Sequence, residues 1–329
     1  MTINTYVSNA QRTQAYADAT YLARGLPFQV ITKFGEAKKL PSKTAKTISM
    51  RRYFPLAVAG ILTEGVTPAG AQIKFEDINV TVQQYGNVVY ESDVVDDLSE
   101  DNLAQEYAKI MSENRAETIE SVYWGVARGG TSVGFANGTA RNAVNTVSTV
   151  TKFSAAIRAL ENQRGKKISD MIAADTNIGT RPVEPAFIAF CHTDCSFDIR
   201  ALPGFIPAAQ YASFKPVSEF ELGALNNMVR IVAAAHFDFF PDAGGAVGLM
   251  KSTSGTNADV YPIVILARQG LGQVMVGGKE SGEFSIVRAS KTIADPLGQR
   301  SAFGWKQYYA GVILNQAWVF RLEVAVTAI

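Results

Sequence analysis

The clearest pattern in the chain runs from about residue 99 to residue 127. Leu103, Tyr107, Ile110 and Met111 share one helical face, as do Ile119, Val122, Tyr123 and Val126, while Glu106, Glu113, Glu117 and Glu120 mark the polar side. Neither Pro nor Gly interrupts the run from Leu103 until Gly125, and Ser92, Asp93 and Ser99 offer capping oxygens ahead of it. At 1.5 Å per residue a helix from Ser99 to Ala127 would be roughly 43 Å long, a beam across a subunit.

Upstream the pattern is different. Residues 1–20 are polar, rich in Thr, Asn and Gln, and without apolar periodicity, which predicts an extended arm that orders only against something else. Leu26 to Leu40 reads as a short helix with Phe28, Ile31, Phe34 and Ala37 at spacings of three, stopped by Pro41. From Thr44 to Tyr90 two stretches of strand formers, Ile48 to Val58 and Ile73 to Tyr90, flank a turn-rich centre at residues 63–70. Ile78, Val80 and Val82 alternate with Asn79, Thr81 and Gln83, so this two-stranded ribbon has one apolar face. An isolated hairpin is marginal in water and must lie on something.

Downstream of the beam, Gly129 to Thr151 reads as loop and a second helix starts near Ser154 and ends at Gly165. Ala186 to Cys191, Met228 to Phe237 and Ile263 to Ala267 are short apolar runs that read as strands. Pro241 to Asp259 reads as an exposed insertion. Trp318, Phe320, Leu322, Val324 and Val326 alternate with Val319, Arg321, Glu323, Ala325 and Thr327, the period of a terminal strand. The sum is a mixed α and β protein, and its 329 residues suit about two compact units.

An apolar fraction of 47% and a charged fraction of 19% are those of a folded protein. The net charge of +1 is too small to draw a monomer onto nucleic acid by counterion release alone. The total hides an asymmetry, however. Residues 1–52 carry nine basic residues against two acids, a net of +7, and residues 53–120 carry thirteen acids against three bases, a net of −10. Blocks of this size neutralise each other within one subunit or between neighbours, or simply face water. The first twenty residues lack the basic flank and apolar run of a signal peptide, and the longest apolar stretches fall short of a membrane span. The expectation is synthesis in a cytoplasm, outside any membrane, with Cys191 and Cys195 kept as thiols.

Catalytic and metal-binding motifs fail on inspection. Cys191-His-Thr-Asp-Cys195 places two thiols and an imidazole within five residues, but zinc takes four ligands, the paired CxxC spacing is missing, and the one other histidine is His236. The plainer reading is a strand end with Cys191 buried and His192 making a hydrogen bond. Neither histidine stands near a GxSxG nucleophile elbow. In the glycine-rich tract at residues 270–280, Gln273 and Glu280 stand where a phosphate loop needs Gly and Ser or Thr, and Met275 replaces the third glycine of a dinucleotide fingerprint. No catalytic, cofactor-binding or metal residue is assigned, and no enzymatic activity is expected.

Three patches, read in order, resemble the major capsid proteins of phages related to the coliphage N-four, a branch of the Hong Kong 97 type shell proteins. The first is Arg51-Arg-Tyr, Leu62-Thr-Glu-Gly-Val-Thr-Pro68, Gln84-Tyr-Gly86 and Ser92-Asp93. The second is Phe220-Glu-Leu-Gly223 with Arg230, and the third is Asp295-Pro-Leu-Gly-Gln-Arg300 followed by Trp305-Lys306 and Ile313-Leu-Asn315. Ser301 and Thr193 depart from the family pattern at local turns. The resemblance implies an α+β fold with an N-terminal arm at 1–43, an extended β-hairpin loop at 44–91, a spine helix and peripheral domain at 92–150, an axial domain at 151–290 and peripheral C-terminal strands at 291–329. It implies a capsid protein that self-assembles into pentamers and hexamers, with scaffold and portal proteins as partners, enclosing double-stranded DNA in an icosahedral virion shell. Arg51, Arg52, Glu64, Asp93 and Arg300 are then the candidates for inter-subunit contacts; for Arg300 the alternative is a cap or pair within its own subunit. An encapsulin-like compartment shell of the same fold and a small-molecule enzyme are the other classes considered, the latter disfavoured by the failed motifs.

Overall fold

The computed structural model describes residues 29–43, 45–98, 103–169, 183–211, 216–277, 282–291 and 296–329. The polar arm at 1–20 therefore lies outside the described residues, as does Asp295. Among the described residues, chain order begins with a 3-10 turn, Ile31–Phe34, and strand β1, Glu36–Leu40. This corrects the helix expected at 26–40. Of the expected four apolar positions Phe28 lies outside the described residues, Ile31 and Phe34 fall in the single turn, and Ala37 lies in 36–40, which instead pairs in parallel with another strand of the molecule.

Strands β2 (Thr47–Tyr53) and β3 (Phe75–Thr81) form the antiparallel ribbon, and β4 (Gln83–Ser92) continues into a short helix α1 (Asp93–Leu98). The spine helix α2 spans Leu103–Ala127, 25 residues, and ends at the Gly129-Gly130 pair. Two assignments on its surface change. Ile110 is exposed, whereas Glu120 is fully buried, because the inward stripe is Ala108, Met111, Ala116, Ile119, Tyr123 and Ala127 and position 120 falls within it.

A long strand, β13 (Arg300–Ile313), organises the first sheet. It pairs with β4 along one edge, and with β12 (Glu283–Val287) and β11 (Leu271–Val276) at other positions; β11 in turn pairs with β1. Ser301, Phe303, Trp305, Gln307 and Tyr309 alternate inward along β13 under the spine helix, with Tyr107 against Phe303 and Tyr123 against Tyr309 at ring separations of 5.0 and 6.2 Å.

The second sheet has seven strands in the order β5 (Ser132–Phe135), β14 (Val319–Val324), β10 (Tyr261–Leu266), β6 (Phe187–Cys191), β9 (Val229–Ala233), β8 (Glu221–Leu225) and β7 (Phe205–Pro207). Its central strands are continuous apolar runs because both faces are covered. Phe187, Ala189, Ile263 and Ile265 pack with Phe153, Ile157 and Leu160 of helix α3 (Val150–Asn162), while Ile188, Phe190, Val264 and Leu266 face Ile119, Tyr123 and Trp124 of the spine helix. Helix α3 starts four residues before the expected position, at the Thr149 cap, and the expected loop at 129–151 contains β5.

The tract at 241–259 is mostly exposed or half-buried, as expected, and it is anchored to the sheet. Phe240 bridges to Val260, Ala246 to Asn257, and the buried Asp259 carboxylate accepts from the Asp242 and Thr253 amides and the Thr253 hydroxyl at 2.8–3.1 Å. A folded-back loop satisfies its own backbone in this way and stays attached to the sheet.

Candidate inter-subunit surface

The ribbon is held in register by its ends. Thr47 faces Thr81, with hydroxyls 2.8 Å apart, and Tyr53 faces Phe75. Between them Arg51 opposes Asp77 and Arg52 opposes Glu76, so the residues singled out as basic meet acids of the same hairpin. Arg51 makes a two-point pair with Asp77, Nε to Oδ1 at 2.8 Å and Nη2 to Oδ2 at 3.1 Å, and its guanidinium lies 4.1 Å from the centre of the Phe75 ring. That hydrogen bonding is the main cause that raises Arg51 and holds the Asp77 carboxyl below its usual range. Arg52 donates to Glu76 at 2.9 Å and to the Leu314 carbonyl at 3.4 Å.

The root of the ribbon lies on its own subunit. Met50, Val80 and Val82 pack with Leu40, Val274 and Ala310, which supplies a surface for the apolar row read from the sequence. Past Tyr53 and Phe75 that support ends. Among the described residues, the backbone across 54–74 is joined only by the Phe54 amide to Lys74 and the Val66 amide to Thr63. Leu56, Val58, Ile61, Leu62, Val66 and Ile73 are exposed, Val58 by 94% and Ile61 by 102%. Glu64 sits at the tip, beside Gly65 with φ of +76°. Several large aliphatic side chains on an unsupported arm mark a surface built to be covered.

The other two candidates lie together at the far end of the first sheet. Asp93 opens α1, its carboxylate accepting from the Val94 amide at 2.9 Å and its own amide donating to the Gln299 carbonyl. Arg300, exposed at the start of β13, pairs with Ser92. The turn before it contains Gly298 at φ +66°, the conformation for which glycine was needed there.

Sequence reasoning misses the buried polar anchors. The Glu120 carboxylate accepts from the amides of Val30, Ile31 and Thr32 at 2.9–3.1 Å and from the Thr32 hydroxyl, capping the 3-10 turn from a different element. His236 Nε2 stands 3.5 Å away. Glu323, also fully buried, receives a two-point pair from Arg141 at 2.7 and 2.9 Å and a contact from Arg321. Glu221 holds Arg230 at 2.8 Å and Tyr211 at 2.7 Å. Glu120 and Glu323 tie together segments far apart in sequence, whereas Glu221 joins neighbouring strands and the turn before them.

The cysteine and histidine motif takes its plainer reading. Cys191 ends β6 fully buried, and the His192 ring accepts from the Asp194 amide at 3.1 Å. Among the described residues no three His, Cys, Asp or Glu gather in a way that would hold a metal ion. Gly272 lies within a strand, outside any loop leading to a helix.

An α+β subunit with a projecting apolar arm is one built to associate with copies of itself. A family model of phage capsid proteins matches residues 75–322, and the chain belongs to that family. Among solved structures it is similar to the capsid of Ralstonia phage GP4, at 12% identity and a TM-score of 0.66 over 90% of this chain and 88% of that one. The cyanophage Pam1 capsid matches at 14% identity and 0.62 over 93% of both chains, and the head of Helicobacter pylori bacteriophage KHP40 at 12% and 0.61 over 91% of both. No curated protein sequence matches significantly. The protein is a major capsid protein with the Hong Kong 97 type fold, a shell component of a phage virion.

Proposed function

We propose that the subunit assembles into pentamers and hexamers of an icosahedral shell by laying its extended hairpin on neighbouring copies. The observation that carries this reading is the exposed aliphatic row at residues 56–73, which none of the described residues of its own subunit covers. The paired Arg51 and Arg52 stiffen the projecting ribbon, and with Glu64, Asp93 and Arg300 they supply the polar contacts of the junctions. Within the segment at 151–290, the part up to β10 serves as axial domain, joined through sheet pairing by β5 and β14, while β11 and β12 pair into the β13 sheet, which with the spine helix serves as peripheral domain. The shell encloses double-stranded DNA, is built with scaffold and portal proteins after synthesis in a bacterial cytoplasm, and performs no catalysis. The kinship with N-four-like phages rests on the three sequence patches described above.

Deleting Ala59 to Gln72 tests this. The shortened subunit should retain the thermal unfolding of the intact chain, since those residues are exposed among the described residues, yet form no shells by sedimentation or electron microscopy. Normal particles from the deletion would refute the hairpin's role.

A further inference from the structure

We infer that the hairpin tip of one copy lands in an apolar trough on the outer face of the next copy's first sheet, where β4, β13 and β12 run side by side; this rests on the shell reading and specifies its acceptor. Phe303 and Trp305, at odd positions of β13, turn toward the spine helix, so the even positions turn away from it. Residues directly opposite in a sheet share a face. On the outer face Ala302 therefore stands between Tyr90 of β4 and Val287 of β12, and Gly304 between Val88 and Ser285. Tyr90, Val287 and Val88 are 70%, 59% and 47% exposed, and the half-buried Ala302 and Gly304 make a low floor between them.

The same outer face is covered at its other end, and by the same ribbon. Val274 and Ala310, a directly opposed pair, lie under Met50, Val80 and Val82 of the hairpin's own root. The ion pair of Lys306 with Glu283 separates the two halves of the face. Ribbon on sheet is thus a packing that this sequence makes, and the trough is the part of the face that its own ribbon leaves bare. Of the 22 large apolar side chains exposed among the described residues, nine lie in the hairpin at 53–75 and seven at the trough's end of the sheet, at 88–95, 287 and 297. Two concentrations of uncovered apolar surface on one chain bury each other when copies associate.

The two surfaces point apart within one molecule. The ribbon's root, at Thr47 and Thr81, adjoins Gln83, which pairs with Tyr309, and further out Arg52 donates to the Leu314 carbonyl. The ribbon therefore leaves the sheet past the last residue of β13. Ala302 lies twelve residues back along that strand, roughly 40 Å at about 3.3 Å per residue. The contact is between copies, and it is head to tail: hairpin of one, trough of the next. Such heterologous contacts close into rings when the rotation per step divides the circle, as a capsomer requires.

The test uses the full-length chain with Tyr90, and separately Val287, replaced by a photoreactive benzoylphenylalanine. Multimers assembled from a mixture of isotopically labelled and unlabelled copies are irradiated, and the joined peptides are identified by mass spectrometry. Both positions should cross-link to peptides from 54–74, and the joined pairs should mix the two labels. Cross-links confined to one copy, to residues 1–28, to the trough of a second copy or to any other segment overturn the contact while the multimers still form. Sedimentation across a concentration series is the second measurement. Tyr90→Glu with Val287→Glu should raise the concentration needed for multimers by about tenfold or more, as the loss of two buried apolar side chains implies. The monomer's thermal unfolding should be unchanged, because both side chains are exposed in it. If that chain does not fold, Tyr90→Ser with Val287→Ser is measured and should weaken assembly in the same direction; assembly as strong as that of the unaltered chain overturns the contact. An unaltered chain that remains monomeric throughout overturns the shell reading and the contact together.

Discussion

Glu120 is a carboxylate at zero exposure whose acceptor capacity is used by three amides and a hydroxyl. Replacing it with Ala would strand those donors away from water, at a cost of about 3–5 kcal/mol, and Gln would recover part of it by keeping one oxygen. Urea unfolding should rank the three proteins in that order, with proteolysis near residue 30 accelerating first in Glu120→Ala. His192 answers to pH instead. Burial is the main cause that keeps its imidazole below the ordinary value, outweighing the Asp194 carboxylate 3.3 Å from Nδ1. The unfolded chain then takes up the proton first, at its ordinary pKa of about 6.5. Stability is full above that pH and declines below it until the folded pKa is reached. The thermal midpoint should fall between pH 7 and pH 5, and His192→Gln should flatten the fall; equal slopes would exclude His192 as its source. The burial of Cys191 and the hydrogen-bonded His192 are legible in the sequence because an apolar run ends there. The role of Glu120 is not, since a glutamate on a helix is solvent-facing by default; only its spacing from Ala116, Ile119 and Tyr123 hints at it.

At the scale of elements, the spine helix, the ribbon and the closing strand are legible because their periodicities are long and uninterrupted. The alternation at the closing strand conceals a second buried face, since Glu323 is as buried as Leu322 and is satisfied by arginines no local pattern reveals. Strand β1 is not legible, for its pairing partner lies more than two hundred residues away. Contact between the spine helix and β13 depends on Gly311. A Cβ there would stand 2.7 Å from Tyr123 Cδ2 and 3.4 Å from Val126 Cγ2, and the buried Tyr123 ring, set edge-on to Tyr309, has little room to retreat. Gly311→Ala should cost about 1–3 kcal/mol by overpacking, whereas Gly60→Ala, with nothing within 4 Å, should stay within about 0.5 kcal/mol. Comparison of their urea midpoints checks the pair.

At the scale of the whole molecule, composition alone places the chain among folded proteins, and the opposed blocks at 1–52 and 53–120 are partly reconciled inside the hairpin by Arg51 with Asp77 and Arg52 with Glu76. What the linear order conceals is how the sheets cross it. The seven-stranded sheet takes β5 from before helix α3 and places β14 between β5 and β10, so residues 319–324 fill a gap between strands some 130 residues apart in the chain. During translation β10 would therefore wait with an open edge until the last of these six residues leaves the ribosome, and open edges of apolar strands invite aggregation. A chain cut short before residue 319 keeps that open edge, so it should be more prone to aggregation and proteolysis than the finished subunit even though the strands that carry the hairpin's root are already present.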